Sequence, residues 1–199
     1  MVRIFIALDI PRECINEIKS IQELLRKRVL FTGKFTEPEN LHLTLKFLGE
    51  ISEEQVEEVK KKISLIKLES FYCEIGEVGV FSKSFTEKQG FSVSKNFKKR
   101  QKFSGIKIIW IKLNGKEIFK LQKEIDEKLK DMFPVEARFM SHITIARVKN
   151  VPDKKALIEY LKSIKPKKLK FYIKEFYLKK SELLSEGPVY SDIEKYSLF

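Results

Sequence analysis

One order of elements runs through this chain twice, and that repetition points to two similar lobes set face to face. In the first half the apolar run Val2–Leu8 reads as a strand and stops at Asp9-Ile10-Pro11. Ile15, Ile18, Ile21, Gln22 and Leu25 then recur at three- and four-residue spacing, which predicts an amphipathic helix. An extended piece over Leu30–Phe35 leads into the turn Glu37-Pro38-Glu39-Asn40, and a strand over Leu41–Leu48 is closed by Gly49. Ser52 with Gln55 three places on has the form of a capping box, opening a second helix with Val56, Val59 and Ile63 on its apolar face. The second half keeps the same rhythm. Strands are predicted over Phe71–Phe81 and Ile106–Leu113, and a helix over 116–132 striped by Ile118, Leu121, Ile125 and Leu129. An extended segment over Ala137–Val148 and a short helix near Lys154–Leu161 complete the repeat. Two terminal strands, Leu169–Lys179 and Val189–Phe199, are separated by Gly187-Pro188.

The halves agree most closely at His42-Leu43-Thr44-Leu45 and His142-Ile143-Thr144-Ile145. Side chains alternate along a strand, so histidine and threonine project together while the two aliphatics anchor in the core. The chain holds two histidines and five threonines, and a threonine two places after both histidines is expected by chance about once in a thousand such chains. Two imidazoles on facing strands suit phosphodiester chemistry. A neutral one accepts the proton of the attacking hydroxyl or water, and a protonated one donates to the leaving oxygen. The threonine hydroxyls would hold the non-bridging phosphate oxygens. Such chemistry needs no metal, and two histidines without a cysteine or carboxylate in ligand spacing make a poor zinc site.

Composition narrows the setting. No stretch approaches the roughly 20 apolar residues of a membrane span. The first strand carries Arg3 and runs straight into Asp9 and Pro11, unlike a secretion signal. An intracellular, cytoplasmic protein without membrane association is therefore expected. Cys14 and Cys73, far apart and without CxxC spacing, read as buried free thiols. The net charge of +12 favours a polyanionic partner, although a lysine-rich surface alone would give the same number.

Together these segments resemble the RNA 2′,3′-cyclic phosphodiesterases, or 2′-5′ RNA ligases, of the two-histidine phosphoesterase superfamily. The likeness lies in Arg3–Asp9, in Pro38-Glu39-Asn40-Leu41-His42-Leu43-Thr44-Leu45-Lys46-Phe47-Leu48-Gly49, and in Val78–Phe81 with Ile109-Trp110. It continues through Ser141–Val148, Leu178–Leu183 and Gly187–Tyr190, and so covers almost the whole chain. The resemblance implies a single bilobal α+β domain over 1–199, pseudo-symmetric, with two antiparallel sheets flanking a central cleft and helices outside. It implies His42 as the general acid toward the leaving 3′ oxygen and His142 as the base that activates water, leaving a 2′-phosphate. Thr44 and Thr144 would bind the phosphate. With a 5′-hydroxyl as nucleophile, the same groups would join RNA through a 2′-5′ bond. The implied partner is RNA with 2′,3′-cyclic phosphate ends, tRNA fragments included, acted on by a monomer with no cofactor.

Two neighbours of the motifs are candidate RNA contacts. If the strand stays regular, Lys46 continues the His42–Thr44 face, either into the cleft or past its rim in solvent. Strict alternation sets Arg147 on the face opposite His142, so it is expected to support the site or touch the RNA backbone rather than react. The chain departs from the family between about 82 and 106, where seven lysines and arginines accompany Phe85, Phe91, Phe97 and Phe103. Basic residues interleaved with aromatics suit single-stranded RNA, while a hairpin whose phenylalanines pack onto the lobe is the plainer alternative. Competing functions are a phosphodiesterase for another cyclic phosphate or a 2′-5′ linked oligonucleotide, and a noncatalytic RNA-binding protein.

Overall fold

The computed structural model describes residues 1–83, 104–185 and 187–199. The four phenylalanines of the basic insertion fall outside the described residues. Among the described residues fourteen elements follow in order. The first half comprises β1 (Val2–Asp9), α1 (Arg12–Arg28), β2 (Thr32–Phe35), a single 3₁₀ turn (Pro38–Asn40), β3 (His42–Ile51) and α2 (Glu53–Ile63). Then come β4 (Phe71–Lys83), β5 (Ser104–Asn114), α3 (Lys116–Leu129), β6 (His142–Asn150), α4 (Lys154–Ser163), β7 (Lys170–Ile173), β8 (Glu175–Leu184) and β9 (Gly187–Ser197).

Local chemistry sets the helix starts. Gln55 N–H donates to Ser52 Oγ at 3.3 Å and Ser52 N–H to Gln55 Oε1 at 3.0 Å, closing the predicted capping box of α2. Asp153 caps α4 by accepting from the backbone of Lys155 at 2.9 Å and Ala156 at 3.0 Å. The apolar stripes of α1 and α3 occupy equivalent positions: Ile18 with Ile118, Ile21 with Leu121 and Leu25 with Ile125, all buried in one continuous core. Cys14 and Cys73 are free and buried there, and burial pushes both thiols up to about 12.

The strands run β7-β4-β5-β6-β3-β1-β8-β9, with β2 paired to β6 and every pairing antiparallel. The order is symmetric about its middle, four strands on each side. At that seam β3 and β6 meet through the register pair Leu43↔Ile143, so the two expected sheets join into one curled sheet. The chain also trades strands between lobes. β4 comes after α2 yet pairs with β5, and β8 comes after α4 yet pairs with β1. This is why the stretch expected as one strand over Leu169–Lys179 divides at Lys174. Its first part pairs with β4 and its second with β1, in opposite halves.

Both motif strands carry the same irregularity. Along β1 and β3 the register passes from Ala7↔Thr44 to Ile6↔Lys46, and along β5 and β6 from Trp110↔Thr144 to Ile109↔Ala146. Leu45 and Ile145 are the extra residues of two equivalent bulges, and each bulge exchanges the faces of the residues beyond it. Two expectations are corrected by this. Lys46 does not continue the His42 face: it turns into the core and is 5% exposed. Arg147 does not lie opposite His142: it returns to the cleft face, paired with Ile108 on β5.

Candidate active site

The half-sites are built alike. In each, the strand begins at the histidine, and the residue two places earlier supplies a carbonyl to its ring. His42 Nδ1–H donates to Asn40 O at 2.9 Å, and His142 Nδ1–H donates to Met140 O at 2.7 Å. Those bonds fix the tautomer and leave Nε2 of each neutral ring as the acceptor. In the first half-site the Thr44 hydroxyl donates to His42 Nε2 at 3.0 Å. His42, Thr44, His142 and Thr144 all line one cleft of about 800 Å³.

The surroundings of the rings differ. His42 sits between Phe5, with centroids 4.9 Å apart, and Tyr190, at 5.1 Å and edge-on. His142 meets Phe81 edge-on at 4.9 Å. Burial pushes His42 down to about 4, against the pull of its Asn40 bond, with Lys179 and His142 lowering it further. Burial also lowers His142, against the pull of its Met140 bond. Lys179 is itself buried between two carboxylates, donating to Asp9 Oδ2 at 3.0 Å and Asp192 Oδ1 at 2.6 Å.

Each bulge is held from behind by a helix. Lys46 Nζ donates to Asp126 of α3 and to Pro134 O at 2.7 Å. Asp126 also accepts from Gln122 Nε2 at 2.6 Å and from Glu136 N–H at 3.0 Å, and these contacts hold its carboxyl below the usual range despite burial. The network thus ties β3 to the segment leading to Met140 and His142. At the second bulge, Gln22 of α1 donates to Ile145 O and Thr36 O, both at 2.9 Å. The buried residue there is Ala146, which calls for no charge partner.

Positive charge gathers at the cleft. Arg3 from β1, Arg138 from the segment before β6 and Arg147 from β6 line it. Arg3 and Arg147 both draw the Tyr190 hydroxyl downward against burial, so the two guanidinium groups reach one rim from different lobes. Sequence reasoning does not assign Arg3, Phe5, Phe81 or Tyr190 to the site. Arg3 leaves a signal, as the one charge within an apolar first strand. Tyr190 leaves none, because Asn40 Nδ2 donating to Pro188 O at 3.0 Å is what fastens the start of β9 beside His42. Among the described residues no three histidine, cysteine or acidic side chains converge as a metal site, and no helix is long and apolar enough to cross a membrane.

Residues 8–88 and 111–190 each match the family model described as LigT-like phosphoesterase. The RNA 2′,3′-cyclic phosphodiesterase of Methanocaldococcus jannaschii is 33% identical over 98% of this chain and all of that protein. The protein of the same name from Thermotoga maritima is 33% identical over 95% of this chain and 91% of its own. Among solved structures, TT0787 of Thermus thermophilus superposes with a TM-score of 0.73 at 24% identity, covering 98% and 97% of the two chains. E. coli LigT in apo form does so at 0.73 and 19% identity, covering 99% and 97%.

Proposed function

Because the chain belongs to the LigT-like phosphoesterase family, we propose that it hydrolyses the 2′,3′-cyclic phosphate end of RNA without a metal, with His42 as proton donor and His142 as proton acceptor. The observation that carries this reading is the paired tautomer lock: two imidazoles in one cleft with Nδ1 committed to carbonyls, so that Nε2 is the atom each uses for proton transfer. The Thr44 hydroxyl now on His42 Nε2 turns to the phosphate when substrate binds. A water proton passes to His142 Nε2 as the water oxygen bonds to phosphorus. The bond from phosphorus to O3′ breaks, and O3′ takes the proton held on His42 Nε2. The product is a 2′-phosphate beside a free 3′-hydroxyl. Thr44 and Thr144 steady the non-bridging oxygens, and Arg147 adds positive charge where negative charge accumulates. A 5′-hydroxyl in place of water gives a 2′-5′ linkage by the same proton movements. Tied to Asp126 behind the bulge, Lys46 is assigned no RNA contact.

The depressed basicity of His42 has a consequence for the acid step. Burial holds that ring neutral at pH 7, so a proton must arrive with the substrate, whose phosphate anion makes the imidazolium favourable. Binding of a phosphate-ended RNA at pH 7 should therefore take up protons from the buffer.

The test incubates RNA ending in a 2′,3′-cyclic phosphate, in EDTA, with wild type, His42→Ala and His142→Ala. A 2′-phosphate product from wild type, and losses of about 10³-fold in each variant, are expected. A 3′-phosphate product would reverse the donor and acceptor assignment. Loss of wild-type activity in EDTA would overturn metal independence.

A further inference from the structure

Beyond the cleft, one sheet face leads away from His142. Lys112 on β5 is the register partner of His142, and Asn114, two residues on, shares its face. Asn114 pairs with Glu74 on β4, and Tyr72, two residues before Glu74, pairs with Tyr172 on the edge strand β7. Cleft and edge strand are therefore one continuous face. With strands about 4.8 Å apart and residues about 3.3 Å apart along them, Tyr72 lies roughly 16 Å from His142, a span of a few nucleotides.

The end of this path is aromatic and basic. Tyr72 and Tyr172 are 56% and 45% exposed, with ring centroids 4.8 Å apart, and Lys170 Nζ lies 4.5 Å over the Tyr72 ring. Residues 165–174 contain five lysines and no acid, all five exposed. Lys167 leans toward Glu17 at 3.9 Å, and Lys112 is neutralised by Glu77 at 3.3 Å. The middle of the path is thus balanced, and positive charge is concentrated at its edge. The equivalent face of the other lobe differs. Asp9, the register partner of His42, shares Lys179 with Asp192, and Glu175 is paired with Lys195, so acids and cations offset one another there. A polyanion leaving the cleft is therefore drawn toward the lysines of β7.

Resting on the cyclic phosphodiesterase reading of the cleft, we infer that Tyr72, Tyr172 and the lysines of residues 165–174 form a docking surface for the RNA strand 5′ to the reacting end. Bases stack on the two tyrosines and phosphates meet Lys168 and Lys170. An edge strand also uses lysines to prevent sheet-to-sheet pairing, and a cross-strand tyrosine pair also stabilises a sheet, so the test must separate those roles from binding.

The experiment compares a 2′,3′-cyclic mononucleotide with an oligouridylate of about eight nucleotides carrying the same end. The variants are Tyr72→Ala/Tyr172→Ala, Lys168→Gln/Lys170→Gln, and, as a control of equal charge change on the helices, Lys19→Gln/Lys61→Gln. The docking surface predicts that both edge pairs raise KM for the oligonucleotide about tenfold and leave mononucleotide turnover unchanged. The lysine pair should also flatten the salt dependence of log affinity by roughly 1.4. Equal losses on both substrates, no loss on either, or the same loss in the control pair would overturn it. If wild type turns over neither substrate, the reading of the cleft fails. Fluorescence anisotropy with the same oligonucleotide then decides the docking surface alone, by whether the edge variants weaken binding about tenfold.

Discussion

His42 and His142 stand in matching motifs, on strands bulged at the same place, with Nδ1 bonded to the carbonyl two residues back. Their neighbours are unlike. His42 is enclosed by Phe5 and Tyr190 with the Lys179 cation nearby, whereas His142 meets Phe81. The bulge behind His42 is fastened by a buried ion pair, and the bulge behind His142 by an amide. The two halves therefore share backbone geometry and tautomer. Residues outside the motif give the two imidazoles different basicities.

The most severe way to break this comparison is to remove both rings. If the histidines act in one concerted step, His42→Ala/His142→Ala should fall no further than either single variant, about 10³-fold below wild type. Multiplying losses in single-turnover assays would mean the halves work independently. Next in size is the difference between the two bulge supports. Lys46→Met leaves Asp126 buried without its cation and should cost about 3–5 kcal/mol in urea denaturation, with Lys46→Met/Asp126→Leu recovering most of it. Gln22→Leu, which orphans two carbonyls, should cost about 1–3 kcal/mol. Similar costs for Lys46→Met and Gln22→Leu would erase the asymmetry.

A third contrast is in acid. Unfolded histidine titrates near 6.5, and folded His42 is pushed down to about 4. Between those values the unfolded chain binds the additional proton, so stability declines as pH falls from about 6.5 toward 4. The contribution of His42 is on the order of 3 kcal/mol. His42→Gln should flatten the stability profile measured by denaturation across that window, and His142→Gln should flatten it less. The smallest effect concerns the residue beyond each bulge, which is Phe47 in one half and Arg147 in the other. Arg147→Gln should raise KM for RNA about tenfold and weaken its salt dependence, with kcat changed less. An unchanged KM would remove Arg147 from the substrate's surroundings.

Much of the fold is legible in the residues. The amphipathic stripes of α1 and α3, the Ser52–Gln55 box and the His–Thr pairs are local patterns, and local patterns survive into the fold. The bulges are not legible. A period of two reveals a face only while the ladder is regular, and Leu45 and Ile145 are aliphatic residues that a regular strand would carry equally well. What secures the extra residues lies far along the chain, in Asp126 for one and Gln22 for the other. Hence strand alternation places Lys46 and Arg147 each on the wrong face, by the same error. The division at Lys174 is hidden for a similar reason, since partners in opposite lobes leave no trace in a run of β-formers.

The exchange of β4 and β8 between lobes has a further consequence, for synthesis and folding. Neither half can close on its own residues. The first lobe waits for β8 and β9, and the pocket around His42 waits for Tyr190. A nascent chain that already contains His42 and His142 still lacks one wall of the cleft. Contacts of such long sequence separation delay folding until late. The enzyme should thus acquire its activity in one step once β8 and β9 have been made, and a ribosome-stalled chain ending before β8 should be inert with both motifs in place.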